Sequence, residues 1–175
     1  MSREFPDFVD PWRAAEGGRR IGGTIPLARL SRLAPLLASN EGVADFSLLF
    51  GYDVQRRPTV AVQVSAPLSL VCQRSLEPYT EEIRQQSLLQ VIGTLAEQAM
   101  LSGEEEYVLA DEGRLAVAEL VEDELLLAVP QVPRNPAVEP VRESTAGGDK
   151  HDPSSNGDSG RQRPFEALNE LMKNR

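Results

Sequence analysis

The sequence predicts an α+β fold: an antiparallel β-sheet meander with a few packed helices, followed by a disordered linker and a short C-terminal helix. Val60, Val62 and Val64 alternate with Thr59, Ala61 and Gln63, the period of two that puts one face of a strand on a core. Strand-like stretches follow one another, and the strongest helix comes only after them, so the order is not a βαβ series. From Arg134 to Arg163 the chain is dense in Gly, Pro, Ser and Asp, with two valines as its only large apolar residues. Such a segment cannot bury enough surface to offset its ordering entropy. The expected organisation is a domain over residues 1–133, a linker over 134–163 and an amphipathic tail helix over 164–175.

Asp10 and Pro11 read as the N-cap and first turn of a short helix through Glu16, stopped by Gly17 and Gly18. A strand over RRIGGTI follows. Leu27, Leu30, Leu33, Ala34 and Leu37 then form a helical stripe that Pro35 kinks or ends, with Arg29 and Arg32 on its outer side. ADFSLLFGYDV and PTVAVQVSAPLSLVCQ read as antiparallel strands. In YTEEIRQQSLLQVIG the spacing of Ile83, Leu88 and Val91 suits a helix, but its place after a proline corner favours a strand. Leu95 to Leu101 forms a helical or irregular bridge into the acidic turn GEEE, and YVLA is a short strand. The helix from Arg114 to Val129 contains no proline or glycine and ends at Pro130 and Pro133. Its expected buried face is Val117, Leu120, Val121, Leu125, Leu127 and Ala128, with Glu124 falling among them. In the tail, Phe165, Leu168, Leu171 and Met172 share a helical face behind Pro164. On a linker whose mean reach is roughly 30 Å, that face is a candidate protein-binding element.

The net charge of −9 is regional. Residues 1–76 carry 9 basic and 7 acidic side chains, residues 77–139 carry 3 and 14, and residues 140–175 carry 6 and 6. Affinity for nucleic acid comes largely from clustered cations, so the middle region favours a basic protein over bare RNA. In the N-terminal half Arg19, Arg20, Arg29 and Arg32 are candidates for a local RNA-binding patch, although aromatic residues do not interleave with them as in a stacking platform. No run is long and apolar enough to span a bilayer, and the start MSREFPDFVDP is too acidic and polar for a signal or transit peptide. A cytoplasmic location without membrane contact is the expectation.

One cysteine, Cys72, and one histidine, His151, leave no Ser/His/Asp or Cys/His arrangement and too few ligands for zinc. The glycines at 17, 18, 22 and 23 lack the Gly-Lys-Ser/Thr ending of a phosphate loop. Glu104, Glu105 and Glu106 read as a solvated loop. No catalytic residue, cofactor, metal or small-molecule substrate is expected, and a carboxylate-based hydrolase is the least supported alternative. Cys72 reads as a small buried hydrophobe. Glu124 needs a partner, and Arg74, beside Cys72 at a strand end, is the expected one for the Glu122, Asp123 and Glu124 group.

Four stretches in succession, DPWRAAEGGRRIGGTIPL, LSLVCQRSLEP, VEDELLLAVPQVP and RPFEALNELMK, resemble the YceD family, proteins needed for accumulation of large-subunit (23S) ribosomal RNA. The family's cysteine-x-arginine-cysteine element falls on Cys72, Arg74 and Ser75, so the second cysteine is missing. Where some members carry further cysteines after the final helix, this chain has Arg134 and Asn135, which argues against a metal here. The family's acidic helix element falls on Glu122, Asp123 and Glu124. The resemblance implies an α+β domain and a role in ribosome assembly without an established enzymatic reaction, and a non-enzymatic factor is the expectation. The expected partner is a ribosomal protein or assembly factor, with precursor 23S rRNA as a further candidate and direct RNA binding as the alternative function.

Overall fold

The computed structural model describes residues 5–99, 101, 103 and 105–138. Most of the 134–163 linker and the whole tail helix, with Phe165, Leu168, Leu171 and Met172, lie outside these residues.

Helix α1 (Pro11–Glu16) forms as the sequence expects: the Asp10 carboxylate accepts from the Arg13 amide at 3.0 Å, and Gly17 is the C-cap. Strands β2 (Arg20–Pro26), β3 (Val43–Tyr52), β4 (Pro58–Val71) and β5 (Pro78–Ile92) pair antiparallel with their neighbours in chain order. On β4 Val60, Val62, Val64, Ala66, Leu68 and Leu70 are all buried, so the period of two runs the length of the strand. The ambiguous 79–93 stretch is a strand, and its inward row holds Ile83, Leu89 and Val91. Pro67 lies in β4 at a point where β3 no longer pairs, since that ladder ends at Asp45 and Ser65, and its missing amide costs no sheet bond on that side.

The sheet closes differently from a purely antiparallel arrangement. After α2 (Leu95–Gln98), strand β6 (Tyr107–Leu109) adds to β5 in parallel, giving the order β2-β3-β4-β5-β6. A separate two-stranded ladder joins β1 (Phe8–Val9) to β7 (Leu115–Ala116), immediately before α3 (Val117–Ala128). Helix α3 therefore starts later than Arg114: Glu112 and Gly113 turn with positive φ, and Leu115 and Ala116 are taken up in the ladder. Helix α3 packs on β5 and β4, while α1 packs on β3 and β4. No helix among the described residues is long and apolar enough to cross a membrane.

Two expectations are corrected. The 27–37 stripe is not a continuous helix but two single 3-10 turns, Leu27–Arg29 and Ala34–Leu36. Leu27, Leu30 and Leu33 are still fully buried, because a spacing of three places them on one side in either conformation. The buried face of α3 is also rotated. Leu127 is 77% exposed while Glu122 is 5% exposed, the helix having turned its acidic edge under the Leu30–Leu33 segment.

Candidate functional site

Helix α3 presents Glu122, Asp123 and Glu124 in succession, and a helix turns about 100° per residue, so the three carboxylates leave it in different directions. Glu122 points to the segment after the first 3-10 turn. Its Oε1 accepts from the backbone amides of Arg32 at 2.6 Å and Leu33 at 3.1 Å, and its Oε2 accepts from Arg32 Nε at 3.0 Å. Arg32 Nη1 reaches Asp123 Oδ1 at 2.6 Å, and Nη2 donates to the Glu119 carbonyl at 3.3 Å. The Glu122 hydrogen bond is the chief cause that raises the Arg32 guanidinium above its ordinary value.

The expected Arg74 pairing is therefore corrected: Arg32 is the partner of Glu122 and Asp123. Burial of Leu30 and Leu33 brings Arg32 against α3, whereas Arg74 Nη1 donates to the Val138 carbonyl at 3.2 Å. Glu124 turns toward β5. It is 3% exposed, and burial, then the nearby Glu106 and Asp123 charges, push its carboxyl up, with Ser87 and Gln85 opposing the shift.

Cys72 is fully buried, as expected, at the end of β4. The hydroxyl and amide of Ser75, then the Asn135 amide at 3.4 Å from Sγ, stabilise the thiolate and hold the thiol at about 6. The Gln73 amide donates to the Pro133 carbonyl at 2.9 Å. Arg134–Val138, assigned to the linker from composition, is thus fastened to the Cys72–Arg74 turn. The Cys72–Ser75 turn and the Arg134–Asn135 segment meet here, and the donors they bring are one thiol, a hydroxyl and amides. Structural zinc takes four thiolate or imidazole ligands, so this set does not fit it.

A second ion-pair cluster escaped the sequence reading. Arg57 donates from its amide and its Nε to Asp53, both at 2.7 Å, and forks onto Glu105 at 3.1 and 2.6 Å. Burial raises the Asp53 carboxyl, but the Arg57 hydrogen bonds outweigh it and leave the group below its ordinary value. Glu105 is consequently not part of a freely solvated loop: it ties the β5–β6 connection to the β3–β4 hairpin. The available signal was the spacing of Asp53 and Arg57 across the DVQRRP turn.

Between α3 and the β5–β6 pair lies a cleft of about 460 Å³. Glu105, Glu106, Asp123 and Glu124 contribute its acidic groups, and Leu89, Val108, Leu120, Leu126 and Leu127 its apolar surface. The four N-terminal arginines are not assembled in the same way. Arg19 and Arg20 are exposed at the start of β2, and Arg29 and Arg32 follow its far end, seven strand residues or roughly 23 Å away. Arg29 lies 3.7 Å from Asp7, and Arg32 is held on α3.

No solved structure matches this chain significantly. A protein-family model described as "Large ribosomal RNA subunit accumulation protein YceD" matches residues 60–172, which include most of β4 and all of β5, the cleft and the acidic helix. The chain belongs to the YceD family of large ribosomal RNA subunit accumulation proteins.

Proposed function

We propose that this protein is a non-enzymatic cytoplasmic factor supporting synthesis, processing or stability of 23S rRNA by holding a basic ribosomal protein or assembly factor of the precursor large subunit. The observation that carries this reading is the regional charge. Residues 77–139 bear 14 acidic against 3 basic side chains, and four of those carboxylates border a single cleft with apolar walls. A field of that sign raises the encounter rate with cationic partners and repels phosphate. Phe165, Leu168, Leu171 and Met172 would act as a tethered second contact, gaining effective concentration once the first is made.

Calorimetric titration of the full chain with individual basic large-subunit proteins, at low and at raised salt, tests the proposal. Binding that weakens as salt rises is the expected result; absence of binding to all of them at low salt rejects it. Direct RNA contact is the second reading, and the exposure of Arg19 and Arg20 favours it. It predicts that neutralising these two arginines weakens binding of large-subunit precursor RNA.

A further inference from the structure

The cleft between α3 and β5–β6 combines features that identify what it would receive. Glu124 is 3% exposed, and its Oε2 has no hydrogen-bond partner. The Ser87 hydroxyl on β5, outside the lining of the cleft, faces the Glu124 carboxyl and favours its ionised form, while Oε2 is left without a partner at hydrogen-bond distance. Buried carboxylate oxygens are costly to leave unsatisfied, so a carboxylate kept in this position is suited to a donor from outside. Asp123 is already paired with Arg32, and Glu105 with Arg57. Glu106 and Glu124 form no ion pair among the described residues, and they add their charge to the cleft. Leu89 and Leu120 supply an apolar surface along it, and Leu127 stands 77% exposed at its border.

We infer that this cleft is a socket for one lysine or arginine side chain of a protein partner, the aliphatic stem lying on Leu89 and Leu120 and the cationic head reaching Glu124. The inference rests on the reading that the acidic face meets a basic protein, and it gives that face a specific anchor. A long cationic side chain suits both surfaces because its methylenes prefer apolar contact while its head requires an acceptor. Anionic ligands are repelled by the carboxylates. A divalent cation is a poor occupant, because no three His, Cys, Asp or Glu side chains among the described residues are grouped to hold one.

The test uses short synthetic peptides of equal length and equal positive charge, titrated into the full chain and into its Glu124→Gln variant. In one peptide leucines flank a central lysine; in the other those leucines are glycines. The socket predicts tighter binding of the leucine peptide by the wild type and a loss of about tenfold in Glu124→Gln, roughly one charge-assisted hydrogen bond. A Glu106→Gln variant, altered at an exposed position, should give a smaller loss. Equal affinity of wild type and Glu124→Gln for the leucine peptide overturns the socket. If that binding is nevertheless salt-sensitive, the broader acidic-face reading stands; if neither peptide binds the wild type at low salt, both readings fall.

Discussion

Arg32 gives Glu122 both its backbone amide, at 2.6 Å, and its side-chain Nε, at 3.0 Å. With the Leu33 amide as a third donor, the Glu122 carboxylate takes the hydrogen bonds that a continuous helix over 27–37 would direct to the carbonyls of Ala28 and Arg29. This contact explains why the leucine stripe is buried without being α-helical, and it fastens the segment after β2 to α3.

Glu122→Ala should destabilise the protein by about 3 kcal/mol, since it removes an almost buried carboxylate with three donors and leaves two amides unsatisfied. Asp123→Ala, at an exposed position, should cost less than about 1 kcal/mol. Urea denaturation of the two variants checks the ratio, and equal losses would contradict the contact's role.

Acid stability should depend on Asp53. Its folded value lies below the ordinary 3.8, so the stabilisation it contributes is present above that pH and is lost as pH falls through the lower, folded value. Asp53→Asn should lower the urea midpoint at neutral pH and flatten the fall below about pH 4. A parallel acid limb in wild type and variant would assign the loss to other carboxylates.

Glu124 has the opposite sign. Burial raises its folded value, so the native state favours the protonated form. The protein is relatively more stable below the ordinary 4.5 and loses that advantage as pH rises through the folded value. Glu124→Gln should therefore raise the melting temperature at neutral pH and change it little in acid. A lower melting temperature at neutral pH would show that the ionised carboxylate is structurally satisfied.

The ordered end of the domain should lie beyond Pro133. A chain ending after Pro133 loses the Asn135 amide that faces Cys72 and the Val138 carbonyl that receives Arg74. Its thiol should titrate above the about 6 of the full chain, and its melting temperature should fall below that of a chain ending after Val138. Ultraviolet thiolate titration and thermal melts of both truncations provide the comparison; identical behaviour would place the boundary at Pro133.

Strands with strict alternation were legible from the sequence because one periodic row meets one core, as in Val60 to Leu70. The Asp10 cap was legible because it is a local contact. Less legible were features set by residues distant in sequence. The carboxylate that replaces a helix over 27–37 lies on α3, and the parallel addition of β6 depends on a connection with no pattern of its own. The Glu122, Asp123 and Glu124 group was identified as needing a basic partner, but proximity to a strand end favoured Arg74 where the packing of Leu30 and Leu33 brings Arg32. Composition assigned Arg134–Val138 to the linker because its anchoring is through backbone groups, which composition does not register.

The most direct measurement is the ratio of large- to small-subunit rRNA in cells that depend on this chain, comparing the wild type with a Glu106→Lys, Glu124→Gln double variant whose folding is confirmed by its melting temperature. Loss of large-subunit rRNA with a folded, normally abundant variant is the predicted result; an unchanged ratio would contradict action through the acidic cleft.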